Sequence, residues 1–151
     1  ALVSWARDVY KRQEDMRAIM VERGDAAKQV AILEMGWTTD QIHENYSWHA
    51  VDEATQADYL VRAYQYAAEN WRPWMGLITT IYIADIEWTE DDEEYWWAIN
   101  KAGYDHGWQG RPAYFQLSVM PRYRDDEFTP ARDGGDPDAM SLPPVSGCDE
   151  N

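Results

Sequence analysis

Gln29-Val30-Ala31-Ile32-Leu33-Glu34-Met35-Gly36-Trp37 is the stretch on which the fold turns. Its middle, Val30 to Leu33, is apolar without alternation, the pattern of a strand buried on both faces of a parallel sheet. A carboxylate, a glycine and an indole follow directly. A second run of the same kind, Gly76 to Ala84, is rich in β-branched residues and again predicts a strand apolar on both faces. Between them Asp52 is a natural N-cap. Ala57, Leu60, Val61, Tyr64, Ala67, Ala68 and Trp71 then recur at i, i+3, i+4, i+7 spacing, so a helix runs to about Asn70, before Pro73. Upstream, residues 6–23 read as another helix. Val9, Met16, Ile19 and Met20 form its apolar stripe, and Gly24-Asp25 is its stop. Helix, strand, loop, helix, strand is the grammar of consecutive β/α units in the α/β class.

The rest of the chain is less regular. Residues 38–50 are polar and aromatic and read as a loop. Residues 85–94 carry seven carboxylates in ten positions, with Trp88 among them. Tyr95 to Ile99 predicts a short strand, Gly103, Gly107 and Gly110 mark turns, and Pro112 opens a last helix through Val119. From 122 to 151 the composition shifts to Pro, Gly and Asp without periodicity, which predicts a disordered tail or linker.

Composition narrows the function classes. The 151 residues hold 13 Lys plus Arg against 28 Asp plus Glu, a net charge of −15, which disfavours a phosphate-backbone partner. No apolar run reaches the ~18 residues of a membrane span. No secretory signal is visible, and a first residue Ala1 in place of Met suggests that a leader or more has been removed. The lone Cys148 excludes an internal disulfide framework and a cysteine zinc site. His43, His49 and His106 lack metal-ligand spacing, the acidic run lacks a calcium-loop pattern, and no G-x-S-x-G occurs, so no metal or cofactor is expected. Nine Trp and ten Tyr against two Phe favour a surface that meets a half-polar ligand. The tail and single cysteine lean toward an extracytoplasmic or secreted protein.

Glu34 is the chemical candidate. A carboxylate at the C-terminal end of a parallel strand stands where loops shape a cleft, and that position suits an acid, base or nucleophile. The alternative is a Glu that caps a helix or pairs with an Arg. Here the sequence resembles clan A glycoside hydrolases, closest to family 39 and the cellulase-like bacterial proteins near it. Glu34-Met35-Gly36-Trp37 resembles the end of their seventh barrel strand. The likeness continues in order through Tyr46-Ser47-Trp48, Gln56 to Tyr64, Trp74-Met75-Gly76, Trp96 to Ile99 and Arg111 to Tyr114, over about residues 6–121.

The resemblance implies that residues 1–121 are the C-terminal portion of a TIM (β/α)8 barrel, about its last two β/α units. It implies that Glu34 is the nucleophile of a retaining mechanism on a carbohydrate substrate. The family's acid/base comes from an Asn-Glu pair at the end of the fourth strand. No such pair follows a strand here, so the N-terminal part of the barrel is expected to be missing and the isolated chain inactive. Where relatives carry a sugar-floor Trp, this chain has Thr80-Ile81-Tyr82-Ile83. Trp37, Trp48, Tyr82 and Trp88 are the candidate sugar contacts, and Tyr82 is placed to hydrogen-bond Glu34. Two alternatives stay open: a non-catalytic carbohydrate-binding or scaffold module on the same barrel, and an acidic α/β interaction domain whose aromatics are all core.

Overall fold

The computed structural model describes the backbone of residues 2–103, 107–124 and 127–129, and the side chains of 12–103 and 107–121. The chain is mixed α/β. Helix α1 (Leu2–Glu22) leads to strand β1 (Val30–Met35), the short helix α2 (Glu44–Ser47), the long helix α3 (Glu53–Asn70) and strand β2 (Met75–Thr80). Helix α4 (Glu93–Trp97), strands β3 (Asn100–Lys101) and β4 (Gln109–Gly110), helix α5 (Pro112–Val119) and strands β5 (Arg122–Arg124) and β6 (Glu127–Thr129) follow. Among the described residues no helix is long and apolar enough to cross a membrane.

Strands β1 and β2 are parallel neighbours, as their apolar β-branched runs predict, with Val30 opposite Met75 and Met35 opposite Thr80. The Ile81 N–H continues the ladder to the Met35 carbonyl (3.0 Å), so the two C-terminal ends lie side by side. The strands are not buried on both faces: Leu33 and Leu77 are exposed. Among the described residues no third strand joins them, and a two-stranded sheet leaves both edges and much of its surface open.

Helix α3 is nucleated where expected. The Asp52 carboxylate accepts from the Thr55 N–H (2.6 Å), satisfying one of the donors that a helix start leaves unpaired. One face of α3 then buries Ala57, Leu60, Ala63 and Ala67. Ala57, Leu60 and Ala63 pack with Trp37, Val51, Ile99 and Ala113, with Met35, Tyr59, Tyr114 and Leu117 around them. The core therefore joins α3 to α5 and to the segment leaving β1. Leu60 is its largest fully buried aliphatic side chain. Leu60→Ala is expected to lower the unfolding free energy by about 3 kcal/mol, read as a shift of the urea midpoint at constant m.

Two expectations are corrected. Tyr95 to Ile99 is not a strand: Glu93 to Trp97 form α4, and strand β3 begins only at Asn100. The aromatic run favours β structure intrinsically, but Glu93 and Glu94 place negative charge in a helical first turn, and Tyr95 is buried there. Within the stretch from 122 expected to lack structure, Arg122–Arg124 and Glu127–Thr129 are strands, and they pair antiparallel with Tyr123 opposite Phe128. The expected tail from 130 to 151 lies outside the described residues.

Candidate functional site

The site is built on the segments that leave the C-terminal ends of β1 and β2. Gly36 makes the first of them possible, since a Cβ there would lie 2.6 Å from Ile81 Cγ2 and 3.7 Å from Trp97 Cε3. Only a residue without a side chain lets the chain leave β1 so close to its neighbour. Thr38, Thr39 and Asp40 follow, all buried. A buried polar segment must find partners, and this one does. The Thr39 N–H and hydroxyl both donate to the Trp96 carbonyl (3.0 and 2.9 Å), and the Val51 N–H donates to Thr38 (2.9 Å). Gln56, buried on α3, donates to the Trp37 carbonyl (2.7 Å).

Arg111 is the hub beneath these loops. Its side chain is 1% exposed, whereas that of its partner Glu53 is 38% exposed. It donates to Glu53 (2.8 Å), to the Thr39 hydroxyl (3.2 Å) and to the Tyr95 carbonyl (2.9 Å). The guanidinium also lies over the rings of Tyr95 (4.8 Å) and Trp96 (5.8 Å). Burial lowers its pKa, and the Glu53 carboxylate partly offsets that. One side chain thus ties the β1 exit, the start of α3, α4 and the start of α5 into one unit.

Asp40 organises the outer part of the loop. Its Oδ1 accepts from the N–H groups of Ile42 (3.0 Å) and His43 (2.9 Å), and its Oδ2 lies 2.7 Å from His43 Nδ1. Burial raises the Asp40 pKa, but the two backbone donors and the imidazole outweigh it, leaving the net value below the ordinary one. Because the folded value lies below the unfolded one, this stabilisation is complete above about pH 4 and is lost as pH falls through the lowered pKa. Asp40→Asn is therefore expected to flatten the acid limb of stability, measured as urea midpoints between roughly pH 5 and 2.5.

The predicted site residues fall into three settings. Glu34 is exposed near the C-terminal end of β1, and its carboxylate has no hydrogen bond or ion pair among the described residues. The expected bond from Tyr82 is not formed. Strand β2 ends at Thr80, so Tyr82 lies just beyond it, its carbonyl taken by the Ile99 N–H (3.2 Å) and its ring edge-on to Trp88 at 5.1 Å. Trp37 is 7% exposed and packs edge-on against Tyr59, so its indole is covered and not presented to a ligand. Its Nε1 is buried without a partner.

Trp48 is the opposite case, 78% exposed. Its Nε1 donates to the Asn45 carbonyl (3.0 Å), and its ring rests 4.4 Å from His49. His49 in turn contacts Trp97 and Tyr46. The Glu93 carboxylate beside the Tyr46 hydroxyl raises the tyrosine's pKa. Trp48 is thus a fixed, open aromatic face joined through three rings to the β1 exit at Gly36. Asp85 and Glu87 stand past the end of β2, where Asp85 accepts the Glu87 N–H (2.9 Å). Among the described residues no group of three His, Cys, Asp or Glu has metal-site geometry. A groove of about 740 Å³ opens between α3, Met120 and the first half of β2, at the opposite end of the sheet from Glu34.

The buried polar frame of Arg111, Asp40, Gln56 and Asn100 was not marked in the sequence. Arg111 stands before a helix-opening Pro, a position that carries no signal of burial. No protein-family model matches the chain, nor does a curated protein or a solved structure.

Proposed function

We propose that this chain forms the last two β/α units of a (β/α)8 barrel that hydrolyses O-glycosidic bonds of a polysaccharide or oligosaccharide with retention. One observation carries the reading: β1 and β2 are parallel, their C-terminal ends are adjacent, and Glu34 stands exposed at that end, its carboxylate without a bond among the described residues. In parallel β/α barrels that end of the strands holds the chemistry. Glu34 would attack the anomeric carbon and displace the leaving oxygen, giving a glycosyl-enzyme ester. A second carboxyl about 5–5.5 Å away would protonate that oxygen and then activate water. The resemblance draws the acid/base from an Asn-Glu pair at the end of a fourth barrel strand, and no such pair follows a strand here, so the acid/base is assigned to barrel strands outside this chain. Trp48 would offer its open face to a sugar ring, with Tyr82 and Trp88 as further contacts across the cleft.

The test is covalent trapping in the polypeptide that carries the complete barrel. A 2-fluoro glycoside with a good leaving group is expected to add one glycosyl mass to the peptide containing Glu34, and Glu34→Gln is expected to remove that label. Labelling of another residue, or none across a panel of sugars, overturns the assignment. The non-catalytic carbohydrate-binding alternative is favoured by Trp48 alone, an exposed, braced indole that needs nothing beyond this chain. It predicts oligosaccharide binding that survives Glu34→Gln and falls with Trp48→Ala, with no trapping at all.

A further inference from the structure

The open aromatic face at Trp48 has a carboxylate at each end. Glu44 begins α2, and Trp48 ends it with helical backbone angles (φ −67°, ψ −21°). The two are therefore i, i+4 neighbours on one side of the turn. Glu44 is exposed and has no hydrogen bond or ion pair among the described residues. Inward from Trp48 the rings of His49, Trp97 and Tyr46 continue the aromatic surface toward the β1 exit. At that inner end Glu93 lies beside the Tyr46 hydroxyl, with Glu94 and Asp40 also acting on it.

No lysine or arginine of these segments balances that charge. Between Lys28 and Arg62, and again between Arg72 and Lys101, the sequence contains neither residue. Those two stretches include both segments that leave the C-terminal ends of β1 and β2. Of the nearest cations, Arg111 is buried against Glu53, and Lys101 lies 3.9 Å from the same carboxylate. The histidines of the β1 exit are both engaged: His43 is held by Asp40 Oδ2 at 2.7 Å, and His49 sits among three rings. Past β2 come the seven carboxylates of residues 85–94, kept at the strand ends by the contact of Trp88 with Tyr82 (5.1 Å).

We propose that this strand-end face selects saccharides bearing free amino groups, with a sugar ring against the Trp48 indole and ammonium groups paired with Glu44 and Glu93. An ammonium is attracted both to an aromatic face and to a carboxylate, so the two features favour the same ligand. A neutral sugar gains the stacking alone. A uronate brings its own carboxylate into a field of like charge and is rejected. The inference rests on the reading of this face as a carbohydrate site and names the class of sugar. It draws nothing from Glu34, so it can fail while the nucleophile assignment stands.

The experiment titrates the 151-residue chain with β-1,4-linked tetramers of glucosamine, glucose and glucuronate, which vary the charge while ring and linkage stay fixed. Calorimetry at low salt is expected to show glucosamine binding about tenfold tighter than glucose, with the preference shrinking at roughly 0.5 M salt. Glucuronate is expected to bind weakest. Glu44→Gln with Glu93→Gln is expected to bring glucosamine within about twofold of glucose. Unchanged affinity for the glucose tetramer shows that the double variant keeps its fold. Trp48→Ala is expected to weaken glucosamine and glucose alike. Equal binding of glucosamine and glucose, tighter binding of glucuronate, or an amine preference that survives the double substitution overturns the proposal. Binding of none of the three overturns it as well. Labelling of Glu34 in the complete barrel then shows separately whether the glycosidase reading falls with it.

Discussion

Arg111→Ala is expected to cost about 3–5 kcal/mol, the largest stability loss of any single substitution in the loop layer. Two effects add. The first is volume: Arg111 is the largest fully buried side chain, and truncation leaves a void under α3, α4 and α5. The second is the loss of donors to Thr39 and to the Tyr95 carbonyl, inside a region that excludes water. Arg111→Met separates the two. Methionine refills much of the space and removes the cost of burying a charge, while Glu53 remains 38% exposed and 3.9 Å from Lys101. Its loss is expected to be smaller, about 1–2 kcal/mol. Glu53→Gln tests the converse, because it strands the buried guanidinium without its carboxylate and is expected to cost more than Arg111→Met. Urea midpoints for the three variants give the order. A methionine variant as unstable as the alanine variant would show that polar bonds, and not packing, dominate the hub.

The same comparison explains what the sequence could and could not reveal. Helix α3 was legible because its determinants are local: an Asp cap three residues before the amide it binds, then a face repeating at helical spacing. The parallel pairing of β1 with β2 was legible from two apolar β-branched runs separated by a helix. Their exposure was not, because it depends on how many strands join the sheet. Helix α4 was hidden by the β propensity of Tyr95-Trp96-Trp97, and the β5–β6 pair by the polar composition around it. At the site, Glu34 lies at the predicted strand end, yet a tryptophan in a loop reads alike whether covered or open. Trp37 and Trp48 show both outcomes eleven residues apart. The polar frame was invisible for a further reason: Arg111 reaches Glu53 across 58 residues and Gln56 reaches Trp37 across 19, separations with no local pattern.

On the proposed glycosidase reading, Glu34→Ala made in a polypeptide carrying the complete barrel is expected to reduce glycoside turnover by about 10^4-fold or more, the scale on which deleting a nucleophile acts. The side chain has no hydrogen-bond or ion-pair partner among the described residues, so the loss should come with little change in stability, at most about 0.5 kcal/mol. That separation distinguishes a chemical role from a structural one. The shortened residue also leaves room for a small anion beside the anomeric carbon. Added azide is expected to restore part of the rate by attacking from the vacated face, giving a glycosyl azide of inverted configuration while the leaving oxygen takes its proton from the acid/base. Formate is expected to act similarly, regenerating a carboxylate ester where Glu34 would have formed one. A residue that merely held the sugar by a hydrogen bond would show weaker binding without rescue, and water would remain the only nucleophile. Rescue with inversion therefore decides between the enzyme and the binding module at the same residue.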